Sequence, residues 1–391
     1  MSISPLSLPA IANFGRFEIL GRLALGGMAE IFLARERGPG RGTRAVVVKR
    51  ILPHVADDPR FVEMFLHEAE LAMGLNHPNL CTIYEFGEQD GEYFIAMEWV
   101  QGVSITQMHK RLFERNESGL PPNVVARVAA EIADALHYAH NAVGGEGEPL
   151  RLVHRDVTPD NIMVSFDGKV KLLDFGVAKA ASQRVRTEAG MLKGKFAYMS
   201  PEQYQGLELD GRADVFSLGA CMYEAVTGLA LFHRSSEYET MGAIVSDDPA
   251  PRASVYRRGV PRGLDDVIAK ALEKNRDQRY GTALELQSAL ERFLISEGTA
   301  VKAREVGGYV SDLCADAKLS PRIDQRPELW TRENETGRIE RAAMRDALTH
   351  DLDAEAASLE ASRKRKSMLV RATLVAIVLG LVAAVLNALK G

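Results

Sequence analysis

Strand-like and helix-like spacings of apolar residues succeed one another along this chain. The strands are read mostly in the first hundred residues and in a later hairpin, with helices between and after them. Between Gly15 and Ala34 the apolar positions Phe17, Ile19 and Leu23 precede a turn, Ala24-Leu25-Gly26-Gly27-Met28-Ala29, and Ile31 and Leu33 follow it. This reads as strand, turn, strand. Another apolar strand, Val46-Val47-Val48, ends in Lys49. Asp58-Pro59 then has the chemistry of a helix start: a side-chain acceptor followed by a residue with no N–H to satisfy. The helix runs to about Leu75, with Phe61, Phe65, Glu68, Ala72 and Leu75 on one stripe. Glu68 interrupts that stripe, and a carboxylate on an apolar face needs a partner. Tyr93 to Val100 is a strand that enters Gln101-Gly102, and Pro122 to Ala142 is an amphipathic helix with Val125, Val128, Ile132, Leu136 and Ala139 as its stripe. A loop rich in Gly and Glu, Gly144 to Glu148, follows it.

Ile162 to Phe166 and Lys169 to Leu173 are strand-like runs on either side of Asp167-Gly168. That dipeptide between apolar runs predicts a two-residue hairpin turn. Phe166 then pairs with Lys169, and Asn161 falls opposite Asp174, so a carboxamide and a carboxylate project from one face. Asp156 lies a short turn upstream. Such hard oxygen donors suit a Mg²⁺ that also carries phosphates, and the third acid can accept a proton from an incoming hydroxyl.

His154-Arg155-Asp156, Asn161 five residues after the Asp, and Asp174-Phe175-Gly176 together resemble the catalytic core of the protein kinases. Gly26-Gly27-Met28-Ala29-Glu30 and Tyr198-Met199-Ser200-Pro201-Glu202-Gln203 are similar to the bacterial eukaryotic-like (Hanks-type) serine/threonine branch. The resemblance covers roughly Phe14 to Ile295 and implies an α+β, two-lobed protein-kinase-like fold. A flexible N-terminus, 1–13, would precede a kinase domain, 14–296, divided into a small β-rich N-lobe, 14–100, and a large helical C-lobe, 101–296.

Carried over residue by residue, the resemblance implies ATP as donor, Mg²⁺ or Mn²⁺ as metal and protein Ser/Thr hydroxyls as acceptors. Lys49 would hold the α- and β-phosphates and pair with Glu68. Leu23, Gly26, Gly27 and Ile31 would surround the nucleotide, Met97 would lie behind the adenine, and the backbone of Glu98 and Val100 would hydrogen-bond to it. Asp156 would orient the nucleophile or act as base, and Asn161 and Asp174 would bind metal. Arg155 would meet a phosphate in the activation segment, 174–202, where Thr187 and Ser182 are candidate acceptors. Asp214 would accept hydrogen bonds from the catalytic-loop backbone, and Arg279 would pair with Glu202. Pro159 favours Ser/Thr over Tyr as acceptor.

The chain departs from the family pattern in two places. Ala24 and Ala29 stand where the loop over the phosphates usually has glycine. Thr158 stands where most serine/threonine kinases have lysine, and Lys195 where most have threonine. Because those two side chains touch in the family, the pair reads as exchanged, with the Lys195 ammonium reaching the γ-phosphate from the other side. Two other readings stay open: a membrane-anchored pseudokinase scaffold that binds nucleotide with little transfer, and a kinase fold acting on small molecules. The Ser200-Pro201-Glu202 motif at the end of a full activation segment disfavours the latter.

Composition adds the setting. The 391 residues carry a formal net charge of −5 with acids and bases intermixed, so nothing points to nucleic acid as a partner. Cys81, Cys221 and Cys314 lack disulfide or zinc spacing, which fits a reducing compartment. Residues 297–367 read as a charged juxtamembrane linker in which Ala342 to Glu360 could support a homodimer contact. Beyond Arg363-Lys364-Arg365-Lys366 the chain is almost wholly apolar from Ala372 to Leu389, a length of roughly 27 Å as a helix. Residues 368–389 are therefore predicted to cross a lipid bilayer once. The basic flank on their N-terminal side predicts an inner-membrane protein with its kinase domain in the cytoplasm.

Overall fold

The computed structural model describes residues 8–37, 43–145, 147–175, 195–298, 301–316 and 323–326. The chain divides into two units, 1–330 and 331–391, and the second lies wholly outside the described residues. Ala342 to Glu360 and the apolar run 368–389 fall there. Among the described residues no helix is long and apolar enough to cross a membrane.

The N-terminal lobe is an antiparallel sheet of β1 (Ala12–Phe14), β2 (Phe17–Leu25), β3 (Ala29–Arg37), β4 (Thr43–Ile51), β5 (Ile83–Gln89) and β6 (Glu92–Glu98), in the order β1-β2-β3-β4-β6-β5. Strand alternation divides its apolar residues between two cores. On one face Val46 and Val48 join Phe14, Phe17, Ile19, Phe32 and Phe94. On the other, Val47 and Ile51 join Ile95 and Met97 and meet helix α1 (Pro59–Met73) through Val62, Phe65 and Ala69. The Asp58 carboxylate caps α1 by accepting from the Arg60 N–H, with Pro59 in the first turn. The buried stripe is Val62, Phe65, Glu68, Ala69 and Ala72. Phe61, expected on it, is half-buried, because Val62 lies three residues from Phe65 and holds that place.

The C-terminal lobe packs α2 (Ile105–Glu114), α3 (Pro122–His140), α4 (Arg212–Thr227), α5 (Glu237–Val245), α6 (Arg262–Ala271) and α7 (Ala283–Ser296) into one core. All five predicted stripe residues of α3 are buried in it. Helix α4 is buried on nearly every side, from Ala213 to Thr227, so it forms the axis of the lobe rather than an amphipathic flank. Its N-terminal end carries Asp214, fully buried.

Between the lobes lies a three-stranded sheet of β7 (Gly102–Ser104), β8 (Ile162–Ser165) and β9 (Val170–Leu172). Its register corrects the expected hairpin by one residue. Ile162 faces Leu172 and Val164 faces Val170, and the Leu173 N–H donates to the Asn161 carbonyl at 2.8 Å. Asn161 is thus opposite Leu173, not Asp174. The loop closes one residue earlier than a two-residue turn: Ser165 N–H donates to Lys169 O at 2.8 Å, and the Ser165 hydroxyl accepts from Lys169 N at 2.8 Å. Gly168, at φ +88°, supplies the left-handed residue of a three-residue loop.

The stretch expected as linker, 297–367, holds a packed helix near its start. Helix α8 (Ala303–Leu313) packs Val306, Val310 and Leu313 into the C-lobe core, together with Val301 and Cys314. It crosses the β8–β9 turn at two glycines. A Cβ on Gly168 would lie 1.7 Å from Ala303 O, and one on Gly307 would lie 2.6 Å from Gly168 N. Farther on, Asp324 forms an antiparallel bridge with Arg22 on β2. All three cysteines are free.

Candidate active site

Lys49 occupies the middle of β4, opposite Ile31 on β3 and Ile95 on β6. All three side chains project from the sheet face turned towards α1. Its Nζ lies 3.0 Å from Asp174 Oδ1. Burial alone would depress the lysine pKa; the charges of Asp174, Glu68 and Asp156 outweigh it and hold the ammonium firmly protonated. Glu68 itself is buried on α1, and it lines a pocket of about 360 Å³ with Met97, Leu172, Asp174 and Phe175.

Asp156 and Asn161 belong to the loop before β8. The Asn161 amide nitrogen donates to Asp156 O at 2.8 Å and to Asp156 Oδ2 at 2.9 Å. With the nitrogen so committed, the Asn161 amide oxygen is the atom available to a cation. Asp174 is at φ +46°, an unfavourable backbone for a residue with a Cβ. That turn of the backbone brings its carboxylate to Lys49 although the hairpin register does not place it opposite Asn161. Among the described residues no group of three His, Cys, Asp or Glu side chains could hold a metal ion. One carboxylate and one carboxamide fit a Mg²⁺ whose shell is completed by phosphate and water oxygens.

The loop is held from beneath by Asp214. Its carboxylate accepts from His154 N at 2.7 Å and Arg155 N at 2.8 Å, and lies 2.8 Å from His140 Nε2. Burial pushes its pKa up, and the His140 contact and the His154 N–H pull it down further, so it stays ionised. Arg155, at φ +65°, is fixed in a left-handed backbone by this grip. His154 is buried; Asp156 N donates to its Nδ1 at 3.3 Å and its Nε2 faces Leu173 O at 3.0 Å. Burial lowers its pKa and keeps the ring neutral. Arg279 forms a two-pronged ion pair with Glu202 at 2.6 and 2.9 Å, both side chains buried.

Leu23 and Ile31 are half-buried against the cluster that contains Met97, so the three predicted nucleotide contacts share one face. Gly26 N–H donates to Ala29 O at 2.9 Å across the loop tip. Neither Gly26 nor Gly27 has a positive φ, so Ala24 and Ala29 flank a loop whose glycines need no left-handed backbone. At the hinge, Glu98 N–H is donated to Thr82 O at 2.8 Å, which leaves the Glu98 carbonyl as the peptide group for the expected adenine contact. Thr158 is buried, and among the described residues its hydroxyl has no hydrogen-bond partner. Residues 176–194, with Ser182 and Thr187, and the Lys195 side chain lie outside the described residues; the Thr158–Lys195 exchange falls there.

Two residues that the sequence did not single out belong to this site. Lys171, buried on β9, donates to Glu98 Oε2 at 2.8 Å and Leu80 O at 3.0 Å. It ties the strand leading to Asp174 to the first hinge residue. His140 completes the partners of Asp214 from the end of α3.

Comparison with known proteins matches residues 17–291 to the protein kinase domain. The chain is 39% identical over 315 residues to the tyrosine-protein kinase MasK of Myxococcus xanthus, covering 81% of this chain and 48% of that one. It is 36% identical over 283 residues to the serine/threonine-protein kinase PknB of Mycobacterium tuberculosis, covering 71% of this chain and 42% of that one. The solved kinase domain of Mycobacterium tuberculosis PknI is similar with a TM-score of 0.54 and 28% identity, over 73% of this chain and 99% of that one. The chain therefore spans about half the length of the curated relatives it matches.

Proposed function

We propose, from the premise that this chain belongs to the protein kinase family, that it transfers the γ-phosphoryl group of ATP to hydroxyl groups of proteins. The observation that carries this is the cluster in which the Lys49 ammonium pairs with Asp174 and feels the charge of Asp156, while Asp156 is held by the Asn161 amide. Lys49 is charged and directed at the place where α- and β-phosphates would lie. Asn161 and Asp174 would hold Mg²⁺, which supplies charge neutralisation at the transferring phosphate when bound. Asp156, fixed by the Asn161 amide, accepts the hydrogen bond of the incoming hydroxyl and aligns it for in-line attack. Leu23, Ile31 and Met97 share one face and would form the apolar walls for the base, with the Glu98 carbonyl and Val100 N–H as its hinge partners.

Serine and threonine are the proposed acceptors, on the strength of Pro159 and the PknB likeness; tyrosine is the competing outcome, since one similar protein is named a tyrosine kinase. Incubation with Mg-ATP and protein substrate, followed by phosphoamino-acid analysis, distinguishes them. Asp156→Asn is expected to lower transfer by about 10²–10⁴-fold while nucleotide affinity stays within a few-fold. Equal transfer by the variant would sink the reading, and absence of transfer in both would favour the scaffold alternative. Lys195 is proposed to supply a second positive charge at the γ-phosphate. Among the described residues the buried Thr158 hydroxyl has no partner, which supports this reading, and unchanged turnover in Lys195→Ala would refute it.

Residues 368–389 are proposed as a single-pass anchor in the inner membrane with the kinase domain on the cytoplasmic side, on their length, apolarity and basic flank.

A further inference from the structure

The segment after the family's matched residues, 17–291, touches both lobes. On the C-lobe side α8 seats on the β8–β9 turn through the Gly168–Gly307 crossing. Ser311 Oγ donates to Phe166 O at 3.3 Å, and the Arg115 guanidinium donates to Asp312 O at 2.8 Å and Leu313 O at 3.0 Å. Arg111 also pairs with Asp316. On the N-lobe side, Arg22 N–H donates to Asp324 O at 2.8 Å and Asp324 N–H donates to Arg22 O at 3.0 Å. Gln325 Nε2 donates to Leu20 O at 3.2 Å. This crossing, too, is at a glycine: a Cβ on Gly21 would lie 2.4 Å from Ile323 Cγ2 and 2.7 Å from Asp324 O. Both contacts thus depend on backbone approaches that only glycine permits.

We propose that Ile323 and Asp324 are positioning residues for nucleotide binding: they fix β2, the strand that carries Leu23 and feeds the Gly26-Gly27 loop, to a segment anchored on the C-lobe. The inference rests on the proposed kinase activity. β2 pairs with β3 on one edge, and β1 covers only its first residues, Phe17 to Ile19. From Gly21 onward the other edge is free to shift unless Asp324 holds it. Its pairing with β3 is already irregular there, with register shifts between Ile19 and Gly21 and between Arg22 and Ala24. A strand with broken pairing on one side gains most from a second partner. At its other contact α8 grips the turn of the hairpin whose far end carries Asn161 and Asp174.

The test uses the full chain. Asp324→Pro removes the N–H that bonds Arg22 O; Asp324→Ala keeps it and serves as the control, and Ile323→Ala removes the side chain over Gly21. Hydrogen exchange at the Arg22 amide reads the contact directly, and KM for ATP against kcat reads its consequence. The expected result is faster Arg22 exchange and a KM for ATP raised three- to tenfold in Asp324→Pro, with kcat within twofold and Asp324→Ala near the unsubstituted protein. Ile323→Ala should shift KM in the same direction by less. Unchanged Arg22 exchange in Asp324→Pro, or faster exchange with unchanged KM, overturns the proposal. An unsubstituted chain that binds no Mg-ATP overturns it together with the kinase reading. That outcome differs from failure of the positioning role alone, in which unsubstituted and variant chains bind equally well.

Discussion

At the scale of single residues, charges in apolar company marked the site. Lys49 ends a valine run and Glu68 interrupts an apolar stripe, and each mismatch with its surroundings was readable because a buried charge demands a partner. Lys171, between Val170 and Leu172, makes the same signal. Its partners, Glu98 and Leu80, lie 73 and 91 positions away, and no local spacing points to them. Lys171→Met would leave the Leu80 carbonyl and the Glu98 carboxylate without their shared donor. It is expected to lower stability by about 1–3 kcal/mol and to raise KM for ATP several-fold with kcat little changed; thermal unfolding and steady-state kinetics measure both. The backbone at Asp174 was likewise not legible, because a left-handed residue other than glycine or asparagine leaves no trace in composition. It is imposed by the surrounding fold.

At the scale of elements, helix and strand positions followed from periodicity, whereas register did not. The Asp167-Gly168 pair does mark a turn, but the Ser165 hydroxyl accepts from Lys169 N and closes a loop of three residues. Residue types alone do not distinguish the two- and three-residue forms, and one residue of difference moves Asn161 from Asp174 to Leu173. Helix α8 carried a readable spacing, Val306, Val310 and Leu313, yet it sits in a charged stretch that looked like linker. What reveals it is its reception by Gly168, a contact between segments remote in sequence. Gly168→Ala would meet Ala303 O and would hold φ +88° with a Cβ. The left-handed backbone alone costs about 1–2 kcal/mol, and the collision adds to it. The expected outcome is a lower melting temperature accompanied by faster amide exchange across 303–313, with exchange in β3 and β4 least affected.

At the scale of the whole molecule, the two lobes were legible through the resemblance carried by His154-Arg155-Asp156 and Asp174-Phe175-Gly176 rather than through the order of strands and helices. The proposed anchor belongs to this scale as well. Deleting 368–389 is expected to move the protein from the detergent-extractable membrane fraction to the soluble fraction without loss of Mg-ATP binding, as read by sedimentation and nucleotide titration. Retention in the membrane fraction after the deletion would place the attachment elsewhere. Residues 301–316 and 323–326 pack beyond the matched family boundary, and this bears on how fragments of the chain behave. A protein trimmed after Ser296 would expose the outer rim of β2, with the Arg22 amide and carbonyl turned towards solvent. Unsatisfied strand rims recruit other strands, so such a shortened product would offer itself to a second copy and self-associate as its concentration rises.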